Sequence, residues 1–160
     1  PIGVNLVFFD GEDQGVPGVN ETYCQGSRFF AKNLPIPRPD EAINLDMVGD
    51  KQLVLPIERY SLEYHPQLVR HLWDRAKEMG LDAFIGRVDY AIYDDHIPLN
   101  EIAGIPSIDL IDFKYPNSYA NFWHTLNDIP ENCSEESLGQ VGDLMVDYIY
   151  NREEQNRSEN

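Results

Sequence analysis

The chain has 160 residues, with 28 acidic against 12 basic side chains and a formal net charge of −16. So anionic a surface repels nucleic acid and anionic lipid, which are bound through Lys and Arg neutralising phosphate, and neither is an expected partner. With 42% hydrophobic and 11% aromatic residues the chain can bury a core of one-domain size, and no apolar run approaches the ~20 residues that span a bilayer.

Pro1 opens the chain with no initiator Met and no charged leader, which reads as part of a longer protein. Residues 4–9 are apolar and β-rich and stop at Asp10 and Gly11, so a buried strand ending in a turn is predicted. Residues 15–20, 35–40 and 114–121 are loops by their Gly, Pro and Asn content. Residues 42–49 and 105–111 have the character of further buried strands. Between them, Leu68, Leu72, Ala76 and Met79 recur at spacings of four, four and three, one face of a helix from Pro66 to Met79 with Gly80 as its stop. Ser134 is a natural cap ahead of Glu135 and Glu136, and Leu138, Val141, Met145 and Tyr148 form the expected buried stripe of a last helix. Residues 1–150 form one domain in this reading, and the polar residues 151–160 a frayed tail. Strands alternating with helices predict an α/β fold, a mostly parallel mixed sheet with helices on both faces and ligands at the carboxyl ends of the strands.

Cys24 and Cys133 have no CxxC or CxxH spacing, so two unpaired thiols are expected rather than a zinc knuckle or a disulfide framework. Acids follow the apolar runs instead: Glu12 and Asp13 after Phe9, Asp46 after Leu45, Asp94 and Asp95 before His96, with His124 after Trp123. Carboxylates crowded against apolar neighbours repel one another and lose hydration, and a divalent cation is an economical compensation. Zinc accepts His nitrogen and carboxylate oxygen, and an unliganded Glu beside it can take a proton. Each feature alone has an ordinary reading, as a solvated turn, a helix cap or a packed histidine. His65 and His71, without acids at ligand spacing, are structural or surface residues.

The motifs running from Val7 to Asp13, Gly26 with Ser27, Asn44 to Gly49, Asp95 to Pro98 and Trp123 to Asp128 occur in a recognisable order. In this order the chain resembles the zinc exopeptidase family that contains the bacterial leucyl aminopeptidases and the animal-type glutaminyl cyclases, over about residues 4–150. The resemblance implies an N-terminally incomplete zinc-exopeptidase fold, a peptide N-terminus as substrate, one or two zinc ions and an exported (periplasmic or secreted) location. It implies Glu12 as general base or acid, supported by Asp95. It implies Asp13, Asp46 and His124 as metal ligands, with Trp123 and Tyr119 in the substrate pocket. Asp13 stands where many members have Glu. Asp46 corresponds to a ligand of the second zinc in the aminopeptidases and to a hydrogen-bonding neighbour of the base in the cyclases. The family's His-x-Asp motif and a further zinc-binding Asp would lie upstream of Pro1. Three activities are open on these grounds: an aminopeptidase first, a glutaminyl cyclase second and a non-catalytic relative third. Asp109, where an animal-type cyclase would have His, weighs against the second.

Overall fold

In the computed structural model, which describes residues 2–158, the helix predicted from its apolar spacing is α3, Pro66–Met79. Pro66 opens it at a position where no amide partner is needed, and Gly80 closes it in the left-handed region at φ 73°, which costs a glycine nothing. Leu68, Leu72 and Ala76 are buried as the spacing requires, joined by Val69 and Trp73.

Around α3 the order is α1 (Gln25–Asn33), β1 (Ala42–Asp46), β2 (Leu55–Ile57) and α2 (Arg59–Tyr64), then β3 (Phe84–Val88), α4 (His96–Glu101), β4 (Ser107–Ile111), β5 (Pro116–Asn117), β6 (Ala120–Asn121) and α5 (Glu135–Ser158). β1 pairs with β4 and β2 with β3, both parallel, while β5 and β6 make a small antiparallel hairpin. The fold is therefore α/β with mainly parallel strands layered by helices. All five residues of β4 are buried, and since successive side chains leave opposite faces, both faces of the sheet are covered there. The core joins Leu55, Leu72, Ile108, Leu110, Val141 and Leu144. Register places Asn44 opposite Asp109 and Asp46 opposite Ile111, so Asp46 stands at the shared carboxyl edge of β1 and β4.

Three expectations are corrected. Residues 4–9 form no strand, and Leu6 and Phe8 are 84% and 92% exposed. Apolar β-branched composition supplies propensity, but a strand is a hydrogen-bonded pairing, and among the described residues no strand lies in register with this run. The buried stripe of α5 is Val141, Leu144 and Tyr148, with Met145 half-buried and Leu138 exposed. Ser137 takes the inward place before Val141 because its hydroxyl donates to the Asp50 carbonyl at 2.5 Å. Finally, residues 151–158 continue α5 instead of fraying, and 159–160 lie outside the described residues. Asn151 Nδ2 donates to Asp147 at 2.8 Å and Arg152 pairs with Glu41 at 3.5 Å, tying the polar turn to the body. Both cysteines are free, Cys24 buried and Cys133 exposed. His65 pairs with Glu41 at 3.6 Å, and His71 packs edge-on against Tyr148. No helix among the described residues is long and apolar enough to cross a membrane.

Candidate active site

Glu12 is set in place by the first turn of α1. The amides of Cys24, Gln25 and Gly26 donate in turn to the carbonyls of Glu12, Gly11 and Asp10 at 3.0, 3.2 and 3.0 Å, so otherwise orphaned helix N-terminal donors grip the loop that carries the acid. That grip requires Gly26, because a Cβ there would stand 2.5 Å from the Asp10 carbonyl oxygen. Gly26→Ala is therefore expected to cost ~1–3 kcal/mol of stability through forced backbone displacement. It should also lower turnover, since the displaced backbone carries Glu12. Chemical denaturation and steady-state rates measure both, and parental values for each would show that the close approach does not matter.

The Glu12 carboxyl is half-buried and its pKa is pushed up to about 9. Burial is the main cause, followed by a hydrogen bond with Asp13 and the fields of Asp94, Asp13 and Asp46. The buried Cys24 thiol, also pushed up chiefly by burial, donates to Glu12 Oε1 at 3.8 Å. Asp94 is raised to about 7 by burial and by Asp46. Asp46 is raised, mainly by burial, although hydrogen bonds from the Met47 backbone and with the Asp94 side chain act the other way. Asp95 accepts from Ser27 Oγ at 2.6 Å and is raised by burial despite the Ser27 and Cys24 hydrogen bonds. Asp94, the neighbour of Asp95, is among the acids whose fields raise Glu12.

Asp13 and His124, distant in sequence, meet in the folded chain: His124 Nε2 lies 2.9 Å from Asp13 Oδ1. The His124 ring stacks on Trp123 with centroids 4.0 Å apart, Trp123 on Phe113 at 5.4 Å and Phe113 on Tyr90 at 5.8 Å. This aromatic ladder braces an imidazole that is otherwise half in solvent, and the sequence reading missed its Phe113 and Tyr90 members. Tyr119 is fully exposed on the β5–β6 hairpin turn. Left-handed backbone at Cys24, Met47 and His124, with φ of 54°, 51° and 58°, costs on the order of 1–3 kcal/mol at each non-glycine residue, and all three adjoin the site.

An imidazole nitrogen and a carboxylate oxygen side by side are a zinc-type donor pair, and the mutually raised acids behind them are a field that a cation would relieve. Asp46 does not close with that pair into a three-ligand set. Among the described residues the one group whose ligand atoms all lie within 4.8 Å of one another is Glu12, Cys24 and Asp94. These three have raised pKa values, so the group is suited to holding protons. In front of it lies a cleft of about 340 Å³ lined by Phe8, Glu12, Asp13, Leu45, Asp46 and Asp94.

Acids and an imidazole thus meet beside the carboxyl edge of a parallel strand pair. The model of peptidase family M28 matches residues 1–149, and the chain belongs to that family. Among curated proteins it is 24% identical to the glutaminyl-peptide cyclotransferase of Boiga dendrophila, over 92% of this chain and 45% of that protein. Among solved structures it is similar to Porphyromonas gingivalis glutaminyl cyclase, with a TM-score of 0.85 and 33% identity over 91% of this chain and 54% of that one. It is also similar to a Zn-dependent exopeptidase from Parabacteroides distasonis, with a TM-score of 0.83 and 35% identity over 90% and 53%. The chain thus spans about half the length of the relatives it matches.

Proposed function

We propose that the protein of which this chain forms the site-bearing part is a glutaminyl-peptide cyclotransferase with one zinc ion, and that it acts on the N-terminus of a peptide. The placement of Asp46 carries this reading. Its carboxyl is grouped with Asp94 behind Glu12 and hydrogen-bonded with it, which supports a role beside the base. The names of the cyclase relatives support the same reading.

Asp13 and His124 would hold the ion, which supplies Lewis-acid polarisation of the substrate's side-chain amide carbonyl. The chain's own residues do the proton work. The substrate α-amine attacks its own γ-amide carbon, one C–N bond forms and the C–NH₂ bond breaks. Glu12 takes a proton from the attacking nitrogen and returns one to the departing nitrogen, which leaves as ammonia. Burial and the fields of Asp94 and Asp46 raise the proton affinity of the Glu12 carboxylate, so in its ionised form it is a stronger acceptor for the substrate's proton. Trp123 offers an apolar wall beside His124. The second reading, a two-zinc aminopeptidase, is favoured by the exopeptidase relatives and needs Asp46 as a direct ligand.

Asp46→Asn in the complete protein separates the two. For the cyclase, zinc per chain stays at one while turnover falls ~10–100-fold, the usual effect of losing a group that supports the site without binding the metal. Ammonia should be released from a glutaminyl peptide by the parent. Two zincs falling to one, with amino acid released from a leucyl peptide, would install the peptidase. No zinc and neither product would point to a non-catalytic relative. Secretion or periplasmic export, proposed from the family resemblance, is tested by fractionating the source cells.

A further inference from the structure

Behind the acids just described lies a second group that the proton transfer does not touch. His96, on the first turn of α4, is fully buried, and neither of its ring nitrogens has a hydrogen-bond partner. Carboxylate oxygens face both: Glu58 Oε2 lies 3.4 Å from Nε2 and Asp109 Oδ2 3.8 Å from Nδ1. Asp109 is fully buried, and its Oδ2 is also without a hydrogen bond. Three buried unpaired atoms would cost several kcal/mol if left apart, and here they face one another. The Glu58 carboxylate accepts from the Tyr60 and Ser61 amides at 3.0 and 2.6 Å, the Ser61 hydroxyl at 2.8 Å and the Ile92 amide at 2.9 Å. Four donors on one carboxylate fix it as an anion, and so fix one side of the ring.

The other side leads to the site. Asp109 Oδ1 accepts from Asn44 Nδ2 at 3.1 Å, and the same nitrogen donates to Asp94 Oδ2 at 3.1 Å. Asn44 uses its two amide hydrogens to hold two buried carboxyl groups, and Asp94 in turn stands within 4.8 Å of Glu12. We propose that His96 is a positioning residue for the reaction: its ring, seated between Glu58 and Asp109, fixes Asp109 so that Asn44 can hold Asp94 against Glu12. This rests on the reading of Glu12 as the proton carrier.

The test is kinetic, in the complete zinc-loaded protein. His96→Gln should lower kcat ~10–100-fold with KM within about twofold and zinc content unchanged. Asp109→Asn, nearly isosteric and still able to accept from Asn44, should lower kcat in the same sense. The double variant should recover part of the loss, because it removes the acid left facing no ring. Val141→Ala, a core change on α5 outside the His96–Asp109–Asn44–Asp94 chain, serves as the stability control. A folded His96→Gln protein with parental kcat, a change confined to KM, or an equal loss in Val141→Ala overturns the proposal. If His96→Gln does not fold, Asp109→Asn decides by the same criteria. Combined with Glu12→Gln, His96→Gln should add little, and full additivity overturns the route through Glu12. Parental turnover in Glu12→Gln alone would instead overturn the assignment of the base.

Discussion

Glu12→Gln should lower turnover by about two to four orders of magnitude, the usual contribution of general acid–base catalysis, and leave fold and zinc content intact. The expectation follows from how this residue is held. Its backbone carbonyl is fixed by the Cys24 amide whatever side chain it carries, so the loop keeps its course. Its carboxyl faces the cleft beside the Asp13–His124 pair without being the pair's own donor, so metal should remain. An amide of the same shape cannot take the proton. A carboxyl raised this far carries little charge at neutral pH, so the neutral amide of the same shape should leave stability near the parent's. Rates on a glutaminyl peptide, with zinc content and a denaturation curve, measure all three quantities. A Gln variant within a few-fold of parental turnover would falsify the assignment.

Local spacing carried the helix α3 in full, from its opening proline to its closing glycine, because an amphipathic period with caps at both ends is decided within one segment. Residues 4–9 failed by the opposite logic, since a strand is decided by a partner that no single segment contains. α5 lies between: its existence was legible in its acidic first turn, but its buried face was misplaced by the inward hydroxyl of Ser137, whose acceptor is the distant Asp50 carbonyl. In the site, acids at strand ends announced their neighbourhood, and the pairing of Asp13 with His124 rested on that compensation argument together with the family resemblance. That Asp94 acts on Glu12 beside Asp95 was not legible, because the two are adjacent and α4 begins directly after them. Glu58 was missed altogether, and His96 was noted only as part of its motif, with no role. A Glu at a helix N-cap is an unusual choice, since Asp, Asn, Ser and Thr are preferred there. That oddity, beside a lone His ahead of Ile97 and Pro98, was the one available signal.

Glu58→Ala should destabilise the folded protein by roughly 3–5 kcal/mol at neutral pH, the cost of removing a buried carboxylate and leaving its partners in place. The Glu58 side chain is 1% exposed, and its loss leaves the amides of Tyr60, Ser61 and Ile92 without an acceptor and His96 facing Asp109 alone. Burial by itself would raise this carboxyl, but the nearby His96 ring and hydrogen bonds from the Ile92, Ser61 and Tyr60 backbone outweigh it and hold it below its ordinary 4.5. A carboxylate lowered on folding contributes stability that is present above the unfolded value and lost as pH falls through the folded one. The gap between parent and variant should therefore be widest at neutral pH and narrow as pH drops below about 4.5. Denaturant midpoints and slopes at several pH values give the curve. A gap that holds constant into acid would mean that Glu58 is not an anion in the fold. The network behind Asp94 would then have to be held by something other than the His96 ring.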